Sequence, residues 1–256
     1  MNLPAQTPDA PAKPKKPRYA VTVDSVQDLT PRMRRIVFTG DALAAFEWPG
    51  PASHLKLLFP GEAPDAKPVM RTYTPRRFDP ATRALTVDMV LHGEGPAASW
   101  AAQAAVGQPL TIAGPGRAYA VDTGARQWVL AGDDTAIPAL ATILEALPAT
   151  ATADVFLEVP AFAEAAALDA AHAGATLHRL VRADDDAAPG ALLEAALRNA
   201  TLPEGVRVYL ACEAGAVRRI RRHLLQERGM VPAQLVTRGY WKLGETDHPD
   251  RDYGED

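Results

Sequence analysis

A chain of 256 residues with a formal net charge of −4 has room for two modest domains and a substantial core, and its acidic balance argues against a nucleic-acid or anionic-membrane binder as the default. The single cysteine, Cys212, excludes an internal disulfide and a thiolate metal site, and the six histidines form no ligand-spaced set, so no resident metal is expected. No stretch approaches the roughly 18 to 20 apolar residues of a membrane-spanning helix.

Residues 1–17, MNLPAQTPDAPAKPKKP, carry five prolines and no apolar signal-peptide core. They read as a solvated, polyproline-like tail, and cytoplasmic residence follows. From 18 to 122 the texture is that of strands. RYAVTVDSVQDL, RMRRIVFTG, HLKLLFP and ALTVDMVLH alternate apolar with polar residues, and Pro/Gly clusters separate them. That pattern predicts an antiparallel barrel or sandwich.

Within this half, RTYTPRRFDP (71–80) gathers cation, aromatic ring and hydroxyl at one strand end. Arg71 and Tyr73, two apart, share a face of a strand; Thr72 and Thr74 face the other way unless the chain bends at Pro75. A flavin nucleotide needs cover for its ring, a donor for its polar edge and cations for its phosphates. Arg71 supplies a guanidinium fork suited to phosphate or a ring carbonyl. A solvated strand edge is the other reading. In HGEGPAASWA (92–101), Pro96 suits the first position of a helix. The free N–H groups of such a helix start favour an anion.

From about Asp122–Arg126 the texture changes to strands alternating with helices: RQWVLAG, then DDTAIPALATILEALP; ADVFLEVP, then the Ala-rich AFAEAAALDAAHAG; TLHRLVR, then APGALLEAALRNA; GVRVYLA, then EAGAVRRIRRHLLQERG; and last QLVTRGYW. Residues 123–256 are therefore expected to form a parallel α/β domain. LAGDDTAIP places Gly132, Asp133 and Asp134 at a strand's carboxyl end without the G-x-G-x-x-G fingerprint. The acidic pair argues for a ring edge there rather than a pyrophosphate. Arg218 and Arg222 lie four apart, opposite the stripe of Val217, Ile220 and Leu224, and suit either a 2′-phosphate or a solvated face. Tyr240 and Trp241 close the last strand, either as core filler or as cover for a flavin.

Taken in order, RTYTPRRFD, HGEGPAASWA with VGQPLTIAGP, AGDDTAIPALATILEALP, LEVP, CEAGAVRRIRRHLL and GYWKLG resemble the siderophore-interacting proteins, NAD(P)H-dependent ferric-siderophore reductases among the ferredoxin-reductase-like flavoproteins. The resemblance covers most of 18–245. It implies a six-stranded FAD-binding barrel followed by a nicotinamide-binding α/β domain. Arg71, Tyr73 and Thr74 would carry the FAD, with Arg76 or Arg77 on phosphate. His92, Gly93, Gly95, Pro96, Ala97, Ala98 and Ser99 would receive the pyrophosphate, with Ser99 one place later than the family pattern. The family's G-P-R-G turn reads Gly114-Pro115-Gly116-Arg117 here, so Arg117 is left unassigned. Gly132, Asp134 and Thr135 would sit near flavin and nicotinamide, and Glu213, Arg218 and Arg222 in the nucleotide loop. Thr135, Tyr240 and Trp241 would stand at the reacting centre, and Lys56 and Lys242 would meet an anionic ferric siderophore. A nicotinamide gives two electrons together whereas Fe(III) takes one, and a flavin converts between the two. A monomer is expected. The rivals are a general flavin reductase or ferredoxin–NADP reductase relative, and a non-catalytic ferric-siderophore carrier.

Overall fold

The computed structural model describes residues 16–61, 63, 66–92, 95–168, 172–182, 188–246, 248 and 251–252. The tail expected over 1–17 falls outside the described residues except for Lys16 and Pro17, and so does Gly93. Seven strands form the first sheet: β1 (Arg18–Thr30), β2 (Met33–Thr39), β3 (Leu55–Phe59), β4 (Val69–Tyr73), β5 (Pro75–Asp79), β6 (Ala84–Val90) and β7 (Pro109–Ala113). Their order is β4-β3-β7-β1-β2-β6-β5, with every pair antiparallel. Alternation on β1 buries Tyr19, Val21 and Val23, as the sequence pattern requires.

The expected count was six strands. β4 and β5 are two arms of one segment, RTYTPRRFD, bent at Thr74. One arm pairs with β3 and the other with β6, so the two edges of the sheet are joined through the chain and the sheet curls into a ring. Pro75 has no N–H for the ladder, and the register slips between Pro75 and Arg77, which bends the segment. A short helix, α1 (Pro96–Ala102), connects β6 to β7 and drives Trp100 into the barrel. The Trp100 ring stacks on Phe38 at 6.3 Å and tilts against Phe59 at 5.4 Å.

The second sheet contains β8 (Gln127–Asp133), β9 (Thr152–Val159), β10 (Ala175–Val181), β11 (Arg207–Glu213), β12 (Leu235–Trp241) and β13 (Arg251–Asp252). The order is β10-β9-β8-β11-β12-β13, parallel except for β13. Three helices cover it: α2 (Ile137–Ala146), α3 (Ala191–Asn199) and α4 (Ala214–Arg222), the last prolonged by a π turn over His223–Glu227. Gly229 follows at φ +69°, a left-handed stop that glycine adopts without strain. Helix α2 is buried on almost every side because it lies between β8 and β5 of the barrel. The Ala-rich stretch after β9 is not a full helix: only a 3-10 turn spans Phe162–Leu168, and 169–171 lie outside the described residues. Tertiary contact overrides alanine's propensity there, since buried Glu164 accepts a hydrogen bond from the Thr30 hydroxyl of the barrel. Strand order reverses between β8 and β11, the position at which open α/β sheets bind ligands outside the strands' carboxyl ends.

Candidate functional site

A cleft of about 590 Å³ runs between the barrel and the carboxyl ends of β8, β11 and β12. This is a usual size for a small-molecule site. From the barrel come Lys56, Arg71, Tyr73 and Thr74. The β3–β4 register puts Tyr73 opposite Leu55 and Arg71 opposite Leu57, so Arg71 and Tyr73 do share a face. Lys56 stands opposite Thr72, and its Nζ donates to the Thr72 hydroxyl at 3.0 Å. The Tyr73 ring meets Phe59 edge-on at 6.4 Å, and burial pushes its phenol up. His92, Gly95, Pro96, Ala97 and Ala98 bring the start of α1 to the cleft, with Gly95 as the cap residue and Pro96 at the first turn.

The second sheet contributes Thr135, Tyr240, Trp241 and Lys242. Adjacent residues on a strand should face opposite ways. Tyr240 and Trp241 both reach the cleft because the β11–β12 register skips a residue: Cys212 pairs with Gly239, but Glu213 pairs with Trp241. The Tyr240 hydroxyl lies 3.1 Å from that of Tyr209. Trp241 Nε1 donates to Asp133 Oδ2 at 2.8 Å, and the Thr135 N–H and hydroxyl both donate to Oδ1. Burial, then the neighbouring Asp134 carboxylate, push the Asp133 carboxyl up, while these three donors favour its ionised form. Burial also raises Asp134, against the opposing pull of Arg182, His92 and Arg32.

The remaining expected residues do not line the cleft. Arg76 forms a two-toothed ion pair with Glu145 of α2, at 2.9 and 2.5 Å, and Arg77 is exposed. Ser99 is exposed on α1, its N–H donating to the Gly95 carbonyl at 2.9 Å. Gly132 is a packing glycine: a Cβ there would stand 2.6 Å from Ala136 Cβ and 2.7 Å from the Ala211 carbonyl. Asp134 is buried beside the helix start. Glu213 caps α4, accepting from Ala216 N at 2.8 Å and Leu243 N at 3.4 Å. Arg218 and Arg222 lie on the exposed face of α4.

Sequence reasoning passed over His54, Asp88, Tyr209 and Arg238 and left Arg117 unassigned, and all five are on the cleft wall. A signal existed for one: Arg238 precedes Tyr240 by two on β12. Arg117 reaches the cleft although its turn departs from the family order. The departure has a steric partner, since a Cβ at Gly116 would fall 2.0 Å from His54 Nε2, so a side chain there would require the His54 ring to move. Burial, then Lys16, Arg238 and Lys56, hold His54 down at a pKa of about 4. Buried Asp88 is held by Arg35 through two hydrogen bonds, at 2.7 and 2.8 Å. Lys242 pairs with Glu245. The wall thus combines an aromatic side (Tyr73, Tyr240, Trp241) with cations (Lys56, Arg71, Arg117, Arg238), a donor set that fits a flavin ring carrying phosphates. Among the described residues no group of three His, Cys, Asp or Glu could hold a metal, and no helix is long and apolar enough to cross a membrane.

Comparison with known proteins agrees with this arrangement. A siderophore-interacting FAD-binding domain profile matches residues 22–67 and 61–119, and a siderophore-interacting protein profile matches 125–244. The ferric vibriobactin reductase ViuB of Vibrio cholerae is 31% identical over 83% of this chain and 85% of its own. A siderophore utilization protein from T. fusca superposes with a TM-score of 0.82 at 36% identity, over 91% of this chain and 95% of that one. The ferredoxin reductase in carbazole 1,9a-dioxygenase shares the fold, with a TM-score of 0.67 at 20% identity over 88% and 70% of the two chains. With its curled antiparallel sheet, its parallel sheet and the cleft between them, the chain belongs to the siderophore-interacting protein family.

Proposed function

We propose that this flavoprotein takes electrons from NAD(P)H through an FAD held in the cleft and reduces the iron of a ferric siderophore, freeing Fe(II) in the cytosol. The observation that carries the reading is the convergence of Arg71, Tyr73 and Thr74 from the barrel with Thr135, Tyr240 and Trp241 from the parallel sheet on one cleft. FAD, when bound, supplies the conversion from a two-electron donor to a one-electron acceptor. Tyr73 would cover one part of its ring, and Arg71 with the start of α1 would hold its polar and phosphate groups. Trp241 and Tyr240 would close the opposite side and exclude water. Lys56, Arg117 and Arg238 would draw in an anionic chelate, with Lys242 partly neutralised by Glu245. Arg218 and Arg222 would meet the 2′-phosphate of NADPH from the outer face of α4.

The test is anaerobic. The FAD-loaded protein is titrated with NADPH or NADH until its yellow colour bleaches, and then ferric hydroxamate or catecholate chelates are added. Return of the colour together with capture of Fe(II) by a ferrous indicator supports the reading. A bleached protein that no ferric chelate reoxidises would overturn it. Arg71→Ala should lose most of its FAD on gel filtration; full retention would remove Arg71 from the proposed site.

A further inference from the structure

Two cleft residues from distant parts of the chain hang on one buried carboxylate. Asp133 is 2% exposed and lies behind the cleft wall without lining it. Its Oδ2 receives the Trp241 indole N–H at 2.8 Å, and its Oδ1 receives the Thr135 N–H at 3.0 Å together with the Thr135 hydroxyl. The skipped residue at the end of β12 turns Trp241 so that the indole reaches across the end of β11 to β8. A tryptophan has one donor, and a threonine hydroxyl has one hydrogen. With both given to Asp133, Trp241 offers the cleft only ring surface, and Thr135 offers only lone pairs.

We propose that Asp133 is a positioning residue for the reductant side of the cleft: it fixes Trp241 as a wall and sets Thr135 as an acceptor-only contact that selects a ligand bearing an N–H donor. This rests on the reading that a nicotinamide nucleotide reduces a flavin in this cleft. The carboxamide of a nicotinamide is such a donor. The carboxylate of a nicotinic acid analogue is not, and it would face the Thr135 lone pairs. A site built around one hydrogen bond discriminates against the analogue that lacks it.

The experiment has two arms on the full chain. In the first, protein labelled with 5-fluorotryptophan is studied by fluorine NMR without any nucleotide. The Trp241 resonance is identified by its loss in Trp241→Phe. Asp133→Ala should shift and broaden that resonance, and Asp133→Asn should move it less. An unmoved resonance in both variants overturns the positioning role, and Asp133→Asn alone decides should Asp133→Ala not fold. In the second arm, the FAD-loaded protein is reduced by NADPH, NADH and reduced nicotinic acid adenine dinucleotide. The expected result is at least a tenfold preference for the carboxamide forms, reduced to near unity in Thr135→Val, which leaves the Trp241 resonance in place. Equal use of the acid and amide forms by the wild type overturns the acceptor role of Thr135. Failure of every nicotinamide nucleotide to bleach the wild-type flavin overturns the underlying reading instead, and the NMR arm still decides whether Asp133 holds Trp241.

Discussion

At the scale of single residues, His54 is the most informative group on the cleft wall. It is packed against Gly116 and surrounded by Lys16, Lys56 and Arg238, and its pKa falls from 6.5 to about 4. Between those values the unfolded chain carries a proton that the folded chain lacks. Stability is therefore fully present above about pH 6.5 and is lost progressively as pH falls toward 4. Allowing for solvent screening at a partly exposed ring, the loss is on the order of 1 to 2 kcal/mol. Urea unfolding at pH 7 and pH 4.5 should show it, and His54→Gln should flatten that part of the profile. An identical profile in the variant would mean that other groups set the acid limit. Nothing in the sequence marks His54 as special: a lone histidine two residues before a lysine has no period and no motif. Arg71 and Tyr73 were legible because their spacing, two apart on a strand, already encodes a shared face. The tie from Asp133 to Trp241 joins residues far apart in sequence, and only the meeting of β8 and β12 around β11 brings them together.

At the scale of elements, the carboxyl edge of the parallel sheet shows one device three times. Asp133 accepts from the N–H of Thr135 before α2. Glu158, wholly buried at the end of β9, accepts from Gly190 N at 2.9 Å and Leu193 N at 3.1 Å at the start of α3. Glu213 accepts from Ala216 N at the start of α4. The starts of α3 and α4, and the turn that leads into α2, would otherwise favour an anion and already hold a carboxylate of the chain. At these helix starts a nucleotide phosphate would then rely on side chains, the role proposed for Arg218 and Arg222. A partly exposed arginine–phosphate contact is worth on the order of 1.5 to 3 kcal/mol, or roughly ten- to a hundredfold in preference for NADPH. Arg218→Ala combined with Arg222→Ala should bring kcat/KM for NADPH and NADH together; a preference that survives both changes would place the 2′-phosphate elsewhere. Glu158→Ala strands two N–H groups and removes the partner of Arg182 at 3.5 Å. The expected loss is on the order of 2 to 4 kcal/mol by urea titration, with Glu158→Gln milder because it keeps an acceptor. The alternation of strands and helices was legible from period alone. These caps were less so, since Glu158 reads as one acid in LEVP until α3 is seen to start against it.

At the scale of the whole molecule, the net charge of −4 conceals a locally basic cleft, and exposed charges of that kind are screened over about 10 Å at 0.1 M salt. Affinity for an anionic ferric chelate should therefore fall as salt rises. Lys56→Ala with Lys242→Ala should weaken that dependence while flavin reduction continues unchanged. Because Glu245 pairs with Lys242, Glu245→Gln should strengthen binding at low salt. Insensitivity to all three changes would put the chelate elsewhere.

The bent segment of β4 and β5 has a further consequence. Its two arms are the two edges of the first sheet, and Thr74 at the bend belongs to the cleft wall. The bend that joins the two edge strands is thus also part of the cleft wall. A ligand that binds only the folded chain adds about 2.7 kcal/mol at a hundredfold excess over its Kd. The expected consequence of an occupant at this bend is a gain that falls on the ring before the parallel sheet. Calorimetry should then see the ring melt first in the empty protein and join a single later transition once FAD is bound, so that the separation of the two peaks becomes a measure of cofactor occupancy.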